Sequence, residues 1–278
     1  MNIAIVGLGA IGGSFAMGLT DAGYNNLYGI DIDEQTLISA LNQGIIKKGV
    51  TRPETVLPDA DIILLSLYPG QILPFVDQYK AFFKSGAVLT DVTGIKTTII
   101  KELTAVLPET VDFVFAHPMR GSEKQGLEGA DHTQFIGANA LITPIQSNKE
   151  ANIKLVEKLY KDIGFERITR VTPEKHDEQI AYVSQLMHVL SVAVVNSPQA
   201  TAETPLFAGK SFQELTRIAD INEDLWSELF SMNKEALLNS ITSFEEQLDV
   251  FKHALLNNNE QELKDFLIHA KIQRRKWY

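Results

Sequence analysis

From its start to about residue 170 the chain alternates short apolar runs with longer stretches where apolar residues recur at helical spacing. Asn2 to Val6, Leu27 to Ile30, Asp61 to Ser66, Ala87 to Thr90, Phe113 to Ala116 and Asn139 to Thr143 read as strands, with Phe165 to Ile168 as a further one at a sheet edge. Runs that are apolar throughout, with no polar alternation, are what strands buried on both faces show. Strands separated by helical patterns imply βαβ units, so the pattern predicts an α/β domain built on a doubly wound parallel sheet.

Near Thr172 the pattern changes. Thr172-Pro173-Glu174 is a helix start, with Thr as N-cap and Pro at the first helical position. From there to Tyr278 only helical periodicity is found. Glu174 to Asn196 becomes apolar almost all round after Leu186, which predicts an interior helix or one covered by a partner. A long helix is expected over about Glu223 to Asn257. Its Leu237, Ile241, Phe244, Leu248, Phe251 and Leu255 recur in steps of four and three, a seam for another helix of this chain or of a second copy. Asn257 to Asn259 should break it before a last amphipathic helix. Two domains follow, 1–168 and 169–278, hinged between about Arg167 and Thr172.

Composition narrows the function. The 278 residues suit one large domain or two, and 45% hydrophobic content suffices for a buried core. A net charge of −10 argues against a general nucleic-acid binder. With no cysteine there is no disulfide, thiolate nucleophile or zinc–thiolate site, and the six histidines are scattered without an H-E-x-x-H pair, so no metal is expected. The opening M-N-I-A-I-V-G lacks a basic signal-peptide region, and no apolar run approaches the ~18 residues that suggest a membrane span. The expectation is a soluble cytoplasmic protein with no membrane partner.

The first strand runs into G-L-G-A-I-G-G, with Gly7, Gly9 and Gly12 in G-x-G-x-x-G spacing, and then into a helix over Ile11 to Ala22. The glycines allow a tight turn, close approach of backbone to a pyrophosphate, and close helix–strand packing. The helix N-terminus offers N–H groups to the anion. Gly7, Leu8, Gly9, Ala10, Ile11 and Gly12 are therefore the candidate cofactor loop of a Rossmann-type fold, with Ser66 at the end of a neighbouring strand. Asp31 ends the second strand where the fingerprint expects an acid to hold a ribose, which favours NAD over NADP. Asp33 is close enough to compete for that role, and both acids could be turn residues.

Further along, Asp91-Val92-Thr93-Gly94-Ile95-Lys96 follows a strand. Thr93 is a candidate N-cap of the next helix, and Lys96 either faces the site or is a solvated first-turn lysine. Phe113 to Ala116 ends at His117-Pro118, which sets His117 at the carboxyl end of a buried strand, the edge where open α/β sheets bind ligands. A histidine satisfied at a strand end is the plainer reading of that residue alone. Ser184, Gln185 and His188 share one side of the apolar helix, where His188 could also be a satisfied core histidine. Arg217, among Leu215, Ile218 and Ala219, reads as a buried guanidinium that needs an anion.

Taken in order these motifs resemble the prephenate dehydrogenase family of tyrosine biosynthesis. They are G-L-G-A-I-G-G at Gly7, the acid Asp31, D-V-T-G-I-K at Asp91, H-P-M-R-G-S-E at His117, P-E-K-H-D at His176, S-Q-L-M-H at His188, and F-Q-E-L-T-R-I-A with Trp226 downstream. The resemblance implies an oxidoreductase, with NAD-dependent oxidative decarboxylation of prephenate to 4-hydroxyphenylpyruvate and carbon dioxide. It also implies an all-α domain that forms a homodimer and closes the site. It assigns His117 as catalytic base, His188 and Arg217 to substrate, Glu123 to a nearby acid that gates access or holds a substrate network, and Lys96 to the substrate side.

One departure stands out. Many members carry G-S-V-K with a serine on the catalytic histidine, whereas Gly94 stands in that place here, leaving Thr93, a backbone carbonyl or water to orient His117. The chain ends soon after the helical domain, so tyrosine feedback is expected only at the active site. Arogenate dehydrogenase is the main rival, favoured by an extra acid near the side-chain pocket. A β-hydroxyacid dehydrogenase would want a lysine where His188 stands. A non-catalytic NAD sensor would leave His117, His188 and Arg217 structural.

Overall fold

The computed structural model describes residues 1–121 and 124–277. Its elements run β1 (Ile3–Val6), α1 (Ala10–Asp21), β2 (Leu27–Ile30), α2 (Glu34–Asn42), β3 (Lys48–Val50), β4 (Ile62–Leu65), α3 (Pro69–Tyr79), β5 (Val88–Asp91), α4 (Thr97–Thr104), β6 (Asp112–Pro118), β7 (Asn139–Thr143), α5 (Glu150–Asp162) and β8 (Arg167–Arg170). The strands make one sheet in the order β3-β2-β1-β4-β5-β6-β7-β8. Every neighbouring pair is parallel except β6 with β7. The chain winds outward from β1 and β4 in opposite directions, so the crevice at their carboxyl ends is the switch point of the sheet.

Successive strand residues point to opposite faces. Ile3, Ile5, Ile62 and Leu64 pack on the side of α1 and α5, with an aromatic cluster of Phe15, Phe135, Tyr160 and Phe165. Ala4, Val6, Ile63, Leu65, Phe113 and Phe115 pack on the side of α3 and α4. Both faces are dry, which is why these strands read as unbroken apolar runs.

Two strands differ from the sequence pattern. β3, K-G-V, carries no apolar run and was invisible to it. β6 continues through Pro118 because it gains an antiparallel partner: Phe115 to Pro118 pair with Thr143 to Ala140, after the β5 ladder has ended at Val114. The Met119 N–H donates to the Asn139 carbonyl at 2.9 Å. That phase puts Pro118 at a position with no bond to β7, so its missing N–H costs nothing.

After β8 the described residues contain no further strand. α6 (Pro173–Ile180) starts at Thr172, whose side chain accepts from the Lys175 N–H. A π-helical turn at Ala181–Gln185 joins it to α7 (Leu186–Val195), followed by α8 (Thr204–Phe207), α9 (Lys210–Thr216), a 3-10 turn at Arg217–Ala219, and α10 (Glu223–Met232). Among the described residues, Pro173–Val195 is the one helix long and apolar enough to cross a membrane, with a mean hydropathy of 1.2 in its best window. The sequence reading had found no such run. The polar side of this helix carries buried His176, Asp177 and Gln185.

The helix expected over about Glu223 to Asn257 is two helices, because Asn233 leaves helical geometry at φ −113° and ψ 27°. Its buried amide donates to the Asp177 carbonyl (2.9 Å) and to Gln185 Oε1 (2.8 Å), bonds that hold the kink. The chain forms two compact units, Met1–Asn233 and Lys234–Tyr278. The second is a helical hairpin of α11 (Lys234–Leu256) and α12 (Glu260–Trp277). Its turn contains Asn258 at φ +50°, the break expected there, and the Phe251 and Phe266 rings meet across it.

Candidate active site

A cavity of about 490 Å³ opens at the carboxyl ends of β1, β4, β5 and β6, closed on its other side by α6, α7 and α10. Its lining includes the glycine end, Gly9, Ala10 and Ile11 with Ser66, and the histidine end, His117, His188 and Trp226, together with Arg120 and Lys124.

The glycine end is shaped for a phosphate-bearing ligand. Gly7 has φ +84°, and a Cβ there would sit 2.3 Å from the Ser66 carbonyl oxygen. A Cβ on Gly12 would lie 1.9 Å from the Gly7 carbonyl oxygen, so the turn and the first turn of α1 close on each other only as glycine. Gly9 is different: a Cβ there meets nothing within 4 Å. Its surface faces open space at the N-cap of α1, where no side chain caps the helix and no acid sits in the first turn. The N–H groups of that first turn carry the positive end of the helix dipole. Leu8 is buried, and its N–H donates to Asp31 Oδ2 at 2.8 Å, tying the loop to β2. The two acids separate cleanly. Asp33 is the N-cap of α2, accepting from Gln35 and Thr36, whereas Asp31 does not cap α2 but accepts the Asp33 N–H at 3.0 Å beside that of Leu8. These residues fit a dinucleotide.

The histidine end is a buried relay. His117 Nδ1 lies 3.0 Å from His176 Nε2, and His176 Nδ1 lies 2.7 Å from Asp177 Oδ1. Asp177 also accepts from the N–H groups of Lys96 and Thr97, each at 2.8 Å. It therefore caps α4, a role the sequence had offered to Thr93. Burial pushes its carboxyl up, but the bonds from His176 and Thr97 outweigh that push and hold it below the usual range. Burial, then the neighbouring His176 and Lys96 charges, push the His117 imidazole well below its ordinary 6.5. Burial also leads in lowering His176, with Asp177 opposing. His188, on α7, has Nδ1 3.0 Å from the Ser184 carbonyl oxygen and its ring 3.7 Å from that of Trp226.

Not every expected residue reaches the cavity. Lys96 is fully buried behind it, with Nζ 2.6 Å from Asp91, 2.9 Å from the Thr93 carbonyl oxygen and 3.0 Å from Thr93 Oγ1. Thr93 borders the cavity, but its hydroxyl is engaged by Asp91, Ile95 and Lys96 and does not bond His117. Arg217 is exposed rather than buried, beside cavity-lining Ile218 and Asp220. Glu123 lies outside the described residues. Sequence reasoning missed Asp220, Arg120 and Lys124 as cavity residues, and passed over His176 and Asp177 as site residues. Asp177, Ser184 and His188 recur at steps of seven and four, which sets them on one side of the helix and was the available signal.

Residues 15–169 match the family model of the prephenate dehydrogenase nucleotide-binding domain, and residues 172–269 match that of the prephenate dehydrogenase dimerization domain. The chain belongs to the prephenate dehydrogenase family. It is 30% identical to the prephenate dehydrogenase of Lactococcus lactis over 97% of this chain and 75% of that protein. It superposes with a TM-score of 0.91 on the prephenate dehydrogenase of Aquifex aeolicus in complex with hydroxyphenyl propionate and NAD+, at 30% identity, covering 100% of this chain and 98% of that one. The arogenate dehydrogenase of Synechocystis gives 0.84 at 25% identity, covering 100% of both chains. The nucleotide-binding match begins within α1, just after the glycine turn. Prephenate and arogenate dehydrogenases are thus both found among the similar structures.

Proposed function

We propose that this protein oxidises prephenate with NAD+, releasing carbon dioxide and 4-hydroxyphenylpyruvate. The observation that carries the reading is His117 at the open edge of β6, in one cavity with the glycine turn and with His188, Trp226 and cationic side chains. NAD+, when bound, supplies the hydride acceptor. The glycine turn and the α1 N-terminus would hold its pyrophosphate, and Asp31 would accept from the adenosine ribose while repelling a 2′-phosphate. His117 would accept the proton of the ring hydroxyl as the carbinol carbon gives up hydride. Loss of the ring carboxylate as carbon dioxide then pushes its electron pair through the ring to the oxygen, and the phenolate so formed takes the proton back from His117 to become the phenol. A positioned base of this kind contributes about 10² to 10⁴ in rate. Burial keeps His117 neutral at pH 7, ready to accept a proton. Arg120, Lys124 and Arg217 supply cationic charge for the two substrate carboxylates, and His188 with Trp226 packs against the ring.

Arogenate is the second reading, favoured by Asp220 on the cavity wall. A carboxylate there suits the ammonium of an amino side chain better than a keto group. We further propose a cytoplasmic homodimer through 169–278, with 1–168 as the nucleotide-binding half. The dimerization-domain match supports this, as do the exposed Leu248, Leu255, Leu267, Ile268 and Ile272 of the helical hairpin.

The test is NADH formation with prephenate and arogenate, each offered with NAD+ and NADP+. Turnover of prephenate with NAD+ is expected; faster turnover of arogenate selects the second reading, and turnover of neither rejects both.

A further inference from the structure

A catalytic base must present a bare nitrogen, and a neutral imidazole has one bare and one protonated nitrogen. What decides between them at His117 is the partner of Nδ1. Gly94 brings no side chain near His117: even a Cβ there would be 3.7 Å from Nε2, and the Thr93 hydroxyl is spent on Asp91, Ile95 and Lys96. The partner is His176, at 3.0 Å, which is 1% exposed.

The direction of that bond follows from the far end of the chain. Asp177 takes N–H groups from Lys96 and Thr97, so its carboxylate is an acceptor fixed in place. Facing it at 2.7 Å, His176 Nδ1 must carry its proton. A bare Nδ1 would set two lone pairs against each other beside a negative charge. His176 Nε2 is then bare and accepts from His117 Nδ1–H, which leaves His117 Nε2 bare. We propose that His176, backed by Asp177, is the positioning residue for His117, fixing the tautomer that presents Nε2 as the base. This rests on the reading of His117 as the general base.

When His117 takes a proton at Nε2, the resulting imidazolium still donates from Nδ1 to His176, and the Asp177 carboxylate lies one imidazole away. No bond has to be broken or rearranged within the relay. The charged groups around it are Lys96 and Asp91, which are paired with each other, and Asp177. Lys96 opposes charging of both imidazoles, and the two carboxylates offset it at His176.

Two measurements test this. In full-length protein without cofactor, ¹⁵N NMR of the histidine side chains should show His117 Nδ1 protonated and Nε2 bare; the reverse tautomer overturns the proposal. In the steady state, His176→Leu should lower kcat roughly a hundredfold, leaving KM and NAD+ affinity within about threefold. His176→Gln, whose amide oxygen can accept the Nδ1–H of His117, should recover at least about tenfold of that loss. Wild-type kcat in His176→Leu, or no difference between the leucine and glutamine variants, overturns the proposal. Should His176→Leu not fold, the tautomer and the glutamine variant decide. The underlying reading fails differently: the wild type would turn over neither substrate, or His117→Asn would keep full activity, whatever the tautomer.

Discussion

Replacing Lys96 by methionine separates a structural lysine from a substrate ligand. Lys96 and Asp91 are both fully buried, with 2.6 Å between Nζ and the carboxylate. Burial pushes the ammonium towards its neutral form and Asp91 pulls it back. Methionine keeps most of the side-chain volume but removes the charge, so Asp91 is left buried with only neutral donors, the Ala116 and Thr93 N–H groups and the Thr93 hydroxyl. Breaking a buried pair by removing one partner costs about 3–5 kcal/mol. In a unit of this size that corresponds to a fall in Tm of roughly 10 °C. Urea unfolding followed by the fluorescence of Trp226, in the same compact unit, measures it directly; Trp277→Phe removes the other tryptophan. Adding Asp91→Asn should return about 2 kcal/mol, because the amide oxygen still accepts from Ala116 while the stranded charge is gone. At saturating substrate the single variant, below its unfolding transition, should retain KM within about twofold. Stability within about 1 kcal/mol of the wild type, joined to a KM raised tenfold or more, would show that Lys96 meets substrate and that the buried-pair reasoning is wrong.

Other consequences can be checked as directly. Gly9→Ala should fold normally and lose nucleotide affinity in a fluorescence titration, since its Cβ enters open space at the α1 N-terminus. Gly12→Ala should instead lose about 1–3 kcal/mol of stability or more, since its Cβ would lie 1.9 Å from a backbone oxygen. His117→Asn should cut turnover by about 10² or more with NAD+ binding intact by calorimetry. Asp31→Asn should narrow the preference for NAD+ over NADP+ in parallel assays, because the group that repels a 2′-phosphate is gone. Stability should also depend on acid. His117 and His176 titrate below 6.5 when folded, so below that pH the unfolded chain binds protons that the folded chain refuses. Their contribution is intact above about pH 6.5 and is lost as pH falls from there towards the folded values. Asp177, also lowered, adds a loss below its ordinary 3.8. Urea midpoints from pH 8 to 5 should fall, and fall less in His176→Gln.

The sheet was legible because its physics is local. A strand dry on both faces must be apolar at every position, and six such runs could be marked from composition alone; β3, half-exposed and only K-G-V, could not. The glycine turn was legible for the same reason, since Gly7 and Gly12 answer to backbone atoms close in space and close in sequence. Side-chain partners across long sequence gaps were not legible. Nothing in D-V-T-G-I-K says that its lysine turns inward to Asp91, or that its helix is capped by an aspartate 80 residues on. Arg217 failed in the other direction: apolar neighbours in sequence predicted burial, yet the 3-10 turn has no buried residue, and Arg217 is exposed together with its neighbour Leu215.

The same long gap explains why the helical segment after β8 belongs to the chemistry as well as to the packing. Asp177 bonds the α4 N-terminus and His176 bonds His117, and both stand in the first turns of α6. Asn233 and Gln185 then fasten that segment to α10, with Gln185 donating to the Leu229 carbonyl at 3.1 Å. Each of these bonds lies within Met1–Asn233. A catalytic histidine at the end of β6 is thus fixed by residues that reach it only once α6 has docked. Docking costs conformational entropy, which the buried cap on α4 and the apolar contacts of α10 offset. Loss of the Asp177 cap should therefore weaken stability and the histidine relay together. Loss of His176 alone should touch mainly the relay, and that difference separates a fold that carries a site from one that is built through it.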